Sequence, residues 1–95
     1  MIIEVHTLKT DPEAFRAVWE GKKTYEIRKN DRNFEIGDQL RLRETKYTGQ
    51  EMANGKPLKY TDREVIAEVT HMLKGPCYGL QDGWCIMSIK TLMIV

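Results

Sequence analysis

Three polar side chains that can work together fall within Gly21-Lys22-Lys23-Thr24-Tyr25-Glu26-Ile27-Arg28. Lys23 can offer a point charge to a phosphate, Arg28 a planar two-pronged donor, and Glu26 an acceptor for base amino or ribose hydroxyl groups. Lys23 and Glu26 are also the candidate pair for general acid–base chemistry. Alternation from Thr24 onward suits a β-strand in which Thr24, Glu26 and Arg28 share one face and Tyr25 and Ile27 the other, so that one face can be buried while the other works. Lys23 would fall on the Tyr25 side of a regular strand. It joins Glu26 and Arg28 only if the Gly21-Lys22-Lys23 turn has not yet become strand. Lys23 and Arg28 are expected to be exposed, and the same charges also suit a solvated edge strand that discourages aggregation.

The elements around this stretch must place it. Ile2 to Leu8 reads as an opening strand, with Glu4, His6 and Leu8 on one face. A helix follows, with Asp11 as N-cap accepting from free N–H groups, Pro12 at the first position, and Ala14, Phe15, Val18 and Trp19 at helical spacing as core. Gly21 stops it, so the polar strand starts directly after a helix, where a cleft can form. Asn30, Asp31 and Arg32 make a turn at the strand's end, and composition alone favours a plain turn with one solvated ion pair, but their place directly after the polar strand makes them candidates for the cleft rim. His6 can reach the cleft if the first strand borders it, but a lone histidine is more often a structural hydrogen-bonding residue.

Leu40 and Leu42 alternate with polar neighbours in a half-buried strand ending near Glu44. Thr45 to Asp62 is polar and reads as a long loop or irregular hairpin, with a turn at Asn54-Gly55. Arg63 to Leu73 is a long, central strand, with Val65, Ala67 and Val69 on one face and Ile66 and Glu68 on the other. Lys74 to Gly83 is a loop, and Trp84 to Val95 supplies the last one or two strands. The loop residues Tyr47 and Tyr78 are candidate stacking platforms for bases, while Trp84 is expected in the core. The order of elements fits one α+β domain over residues 1–95, a small curled sheet or barrel of about five or six strands with one main helix packed at its side.

Composition narrows the partners. The chain is 41% hydrophobic and 31% charged with a net charge of +1, which describes a folded domain without a global basic field. Nucleic-acid binding must therefore come from a local patch. Cys77 and Cys85 have no CxxC or histidine pairing, so free thiols in a cytoplasmic protein are expected, with no metal and no cofactor. Neither a signal peptide nor an apolar run of membrane-spanning length is present, so no membrane partner is expected.

The stretch Gly21 to Arg28 fits the G-x-K-x-x-E-x-R signature of ASCH domains, which are similar in fold to the PUA family of RNA-binding β-barrels. The chain most resembles a bacterial and phage subgroup, DUF3850, through His6-x-Leu8-Lys9, Lys23-Thr24-x-Glu26-Ile27-Arg28-x-Asn30-Asp31-Arg32, Gly37-Asp38-x-Leu40-x-Leu42, Tyr47-Thr48-Gly49 and Tyr78-Gly79-Leu80. The resemblance implies a PUA-like barrel with a cleft beside the first helix that binds RNA or a nucleotide through Lys23, Glu26 and Arg28, with Thr24 in the same motif. Some small ASCH proteins look like amidohydrolases acting on acylated cytidine. They use a lysine in the signature, kept here as Lys23, a threonine where this chain has Glu26, and a later glutamate, for which Glu68 is the candidate. A hydrolase acting on a modified nucleoside or RNA, and a protein-interaction module, are the alternative functions.

Overall fold

The computed structural model describes residues 2–95 as five strands and two short helices. β1 (Val5–Thr10) leads into α1 (Pro12–Trp19), β2 (Tyr25–Lys29), β3 (Gln39–Thr45), α2 (Gly49–Ala53), β4 (Tyr60–Lys74) and β5 (Trp84–Ile94). One sheet holds all five strands in the order β1-β3-β4-β5-β2. β1 runs parallel to β3, and every other neighbouring pair is antiparallel. α1 and β2 lie between β1 and β3 in the chain, and β2 pairs with β5 at the opposite edge of the sheet.

The two edges meet again across the inside of the sheet. Arg28 on β2 donates from Nη2 to the Lys9 carbonyl at 3.1 Å, and Arg32 from Nη1 to the Thr7 carbonyl at 2.7 Å. Two guanidinium groups thus join β2 to β1 where a backbone ladder would close a full barrel. The sheet is mostly β and curled, compatible with a small barrel. The expected single main helix is replaced by two short ones.

α1 covers the curled sheet with Phe15 and Val18, which are buried with Leu40 and Leu42 of β3, Val65 and Val69 of β4, and Met87 of β5. Its helical spacing works as expected, but its cap does not. Asp11 makes no side-chain bond to the α1 amides, and its Oδ1 instead accepts from the Gly49 N–H at 3.0 Å, tying the starts of the two helices together. α2 lies inside the expected long loop. Thr48 and Glu51 form a reciprocal capping box, each side chain accepting from the other's N–H at 3.0 Å. The Thr-x-x-Glu spacing was the available signal for it.

Register decides which face of β2 points inward. Glu26 lies opposite Met87 and Arg28 opposite Cys85, while Ile27 lies opposite Ile86 and Tyr25 opposite Ser88. Directly opposed residues share a face, and Met87 and Cys85 are buried, so Glu26 and Arg28 must point into the sheet's concavity. Glu26 is 2% exposed, whereas Tyr25 and Ile27 are 49% and 48% exposed. The charged side of this strand is the inner one, and the apolar pair faces out.

Candidate functional site

A cleft runs along the seam between β1 and β2. Its first pocket, about 260 Å³, lies beside the start of α1 and is lined by Lys9, Thr10, Asp11, Ala14, Lys23, Glu26, Ile27 and Arg28. A second, about 350 Å³, shares Ile27 and Arg28 and continues past Leu8, Asp31, Arg32 and Trp84. Arg28 stands between the two. Basic side chains outnumber acidic ones in the first pocket, where Lys9, Lys23 and Arg28 face Asp11 and Glu26.

Glu26 is the anchor of the first pocket. Its Oε1 accepts from Arg28 Nε at 2.9 Å and from Nη2 at 2.8 Å, and its Oε2 accepts from Lys23 Nζ. Lys23 reaches it because the turn after α1 wraps onto the helix end. The N–H groups of Lys22 and Lys23 both donate to the Ala17 carbonyl, at 2.9 and 3.0 Å, and regular strand begins only at Tyr25. The condition set by the sequence pattern is therefore met. Lys23 and Arg28 are only partly exposed, contrary to expectation, because each folds over the buried carboxylate.

Two cations around one carboxylate leave a surplus. An ammonium carries three donors, and Lys23 uses one on Glu26 and one on the Tyr25 carbonyl at 2.7 Å, which leaves one without a hydrogen bond, while its Nζ also lies 4.8 Å from the Tyr25 ring centre. Arg28 uses Nε and Nη2, while its Nη1 makes no bond to the described residues. Thr10 adds a further unpaired group, since its buried Oγ1 has no hydrogen-bond partner. Such an atom is rare in a folded interior.

The other expected site residues scatter. Asp31 and Arg32 line the second pocket, with Arg32 also holding the seam. Asn30 serves its turn, its Oδ1 accepting from the Phe34 N–H at 3.1 Å. Thr24 is exposed ahead of β2, and its carbonyl accepts from the Ile89 N–H at 3.0 Å. His6 is buried and lines neither pocket. Its Nε2 lies 2.8 Å from Asp38 Oδ2, and its ring meets Phe34 edge-on at 4.8 Å. Tyr47 also lies outside both pockets, with the Lys46 and Lys56 ammonium groups 5.5 and 5.3 Å from its ring centre.

Tyr78 is 96% exposed in the loop before β5, next to Gly79 and Leu80, which border a groove with Ile27 and Trp84. Trp84, expected in the core, instead lines this outer groove and the second pocket. Glu68 lies on the outer face of β4, opposite Gln39 and Lys90, and lines neither seam pocket. It therefore does not join Lys23 and Glu26 as the later glutamate. Lys9 and Thr10 were missed, because nothing in the sequence shows that β1 returns beside β2.

Away from the seam, the fold favours the ionised form of Asp38 and Glu44. Burial works against the Asp38 carboxylate, but bonds from His6 and from the Glu35 N–H at 3.0 Å bring it below its ordinary range. Burial likewise opposes Glu44, and Arg63, at 2.8 Å to each oxygen, with the Thr61 hydroxyl, lowers it. Cys77 and Cys85 are both free. Among the described residues, no helix is long and apolar enough to cross a membrane.

A family model described as "Domain of unknown function (DUF3850)" matches residues 5–89. Over 44 residues the chain is 48% identical to an "Uncharacterized 12.9 kDa protein in GpA 3'region" of Escherichia phage P2, a segment that covers 46% of this chain and 40% of that relative.

Proposed function

We propose that this chain, which belongs to the DUF3850 family, binds a nucleotide or RNA in the cleft along its β1–β2 seam. The observation that carries the proposal is the Lys23–Glu26–Arg28 cluster. A buried carboxylate fixes two cations in place, and both keep donors that protein groups do not use. Preorganised ammonium and guanidinium groups suit phosphate, and Trp84 with Ile27 offers an apolar wall further along the same cleft for a base. The curled sheet with α1 beside the cleft also fits an ASCH-type, PUA-like domain, and such a ligand would be met in the cytoplasm.

Binding is favoured over hydrolysis by the state of the carboxylates. Both Glu26 oxygens are already bonded, Asp11 has one oxygen tied to the Gly49 N–H, and Glu68 is on the far face, so the signature carboxylate is engaged in holding cations rather than placed to activate water.

Titrating short single-stranded RNA and nucleotides into the protein tests this. Binding should weaken as salt rises, with a log–log slope of about −2 if three phosphates are contacted. Lys23→Ala should weaken it at least about tenfold, the worth of one charge-assisted hydrogen bond. Undiminished affinity in a folded Lys23→Ala, Arg32→Ala double variant, or none in the wild type, would remove the proposal.

A further inference from the structure

We infer that the second pocket takes the base of the ligand and selects guanine, with Asp31 accepting from the base edge. The inference rests on the seam cleft being a nucleotide or RNA site, and adds which base that site takes and which residue chooses it.

The pocket suits a base in size, lining and place. Its volume, about 350 Å³, falls in the range of small-molecule pockets. Leu8 and Phe34 line it and are only 4% and 1% exposed, whereas Ile27 and Trp84 are 48% and 36% exposed, so its apolar lining runs from a closed inner end to an open rim. Trp84 supplies an aromatic face on which a base can stack. Arg28 lines this pocket and the first one, so a nucleotide whose phosphate meets Arg28 can lay its base against Trp84.

Asp31 decides among the bases. It is the one acid lining this pocket, where Arg28, Lys29 and Arg32 are the cations. Despite these neighbours its carboxylate makes no hydrogen bond or ion pair to the described residues, because Arg28 is turned to Glu26 and the Lys9 carbonyl and Arg32 to the Thr7 carbonyl. The other acids of the cleft are engaged, Glu26 through both oxygens and Asp11 through Oδ1. The turn that carries Asp31 is pinned by Asn30, whose N–H donates to the Gly83 carbonyl at 2.8 Å and whose Oδ1 accepts from the Phe34 N–H at 3.1 Å. Asp31 is therefore held at the pocket by its neighbours while both of its own oxygens stay open.

A carboxylate accepts through two oxygens side by side. Guanine alone among the four RNA bases carries two adjacent donors, N1–H and the N2 amino group, which meet those oxygens as an arginine fork does. Adenine and cytosine place an acceptor beside the amino group, and uracil flanks N3–H with two carbonyl oxygens. Against each of these edges a carboxylate oxygen would face an acceptor, so the same residue that attracts guanine repels the others.

The test uses RNA trinucleotides of sequence U-N-U, in which the central base is guanine, hypoxanthine, adenine, cytosine or uracil, titrated calorimetrically into the wild type and Asp31→Asn. The wild type should bind the guanine trinucleotide about tenfold or more tighter than those with adenine, cytosine or uracil, the worth of one bidentate pair to a base. Hypoxanthine, which keeps N1–H and lacks the amino group, should fall between. Asp31→Asn should bring guanine down to the level of the others. It should leave the melting temperature unchanged, since Asp31 is exposed and unbonded.

Equal affinity for all the trinucleotides would overturn the guanine site while leaving the seam as a nucleic-acid site. A preference for a different base, or a guanine preference that persists in Asp31→Asn, would overturn it as well. Absence of binding by every trinucleotide would refute the inference and the broader proposal together.

Discussion

Replacing Arg28 with alanine isolates the group that both fixes Glu26 and holds the seam. The substitution removes two bonds to Glu26 Oε1, at 2.9 and 2.8 Å, and the 3.1 Å bond to the Lys9 carbonyl. The carbonyl can turn to water, but Glu26 cannot, because its side chain is 3% exposed. Removing one partner of a buried pair costs about 3–5 kcal/mol. Lys23 still neutralises Glu26, and Arg28 is itself 27% exposed and partly screened, so the lower end, about 3 kcal/mol, is expected. For a domain of this size that corresponds to a fall in melting temperature of about 12–24 °C. Urea denaturation should show the loss as a lower midpoint at unchanged slope. Adding Glu26→Gln to the alanine variant should recover part of the stability, since no unpaired charge is then left inside. A loss below about 0.5 kcal/mol for Arg28→Ala, the range of ordinary surface substitutions, would show that the Glu26 pair is solvated and that the seam does not depend on it.

Three other outcomes follow from the same geometry. Asp38 and Glu44 have folded-state pKa values below their ordinary ones, so their stabilisation is complete above the unfolded value of about 4 and is lost as pH falls through the folded value. The urea midpoint should hold between about pH 5 and 7 and drop below about pH 4. Asp38→Asn should lower the midpoint at pH 7 and flatten the acid decline, and an unaltered decline would exclude Asp38 as its source. Gly75→Ala should destabilise by more than about 2 kcal/mol or rearrange the loop before β5, because an added Cβ would lie 2.0 Å from the Gln81 carbonyl oxygen; a neutral result on urea denaturation would contradict that packing. Burial pushes the Cys85 thiol up, with Lys74 opposing and Asp31 adding to it. A thiol reagent should thus label partly exposed Cys77 quickly and Cys85 only on unfolding, and two fast labels by mass spectrometry would contradict the burial.

Much of the fold and part of the site can be read from local pattern. Phe15, Val18 and Trp19 at helical spacing after Asp11-Pro12 specify α1, and the alternation of Leu40 and Leu42 and of Val65, Ala67 and Val69 specifies the inner faces of β3 and β4. The grouping of Lys23, Glu26 and Arg28 also follows from local geometry, because strand alternation aligns the last two and an irregular turn brings in the first. Even α2 is written locally, in the Thr48 and Glu51 capping box.

What the sequence leaves open is direction and closure. Alternation shows that Glu26 and Ile27 occupy opposite faces of β2, and hydrophobicity alone would put Ile27 inside. Pairing with β5 reverses this, because Glu26 must share the side of buried Met87, where Lys23 and Arg28 make burial of its charge tolerable. The same long-range pairings bring β1 beside β2, so that Arg28 meets a carbonyl 19 residues away and Arg32 one 25 residues away. Lys9 and Thr10 enter the cleft, and Trp84 faces its wall, only through that closure. Local residue types thus determine which groups can bind an anion. Register between strands distant in the chain determines that Glu26 and Arg28 line the inside of the cleft, where Lys23 joins them from the turn, because each one-residue step along a strand exchanges its inner and outer faces.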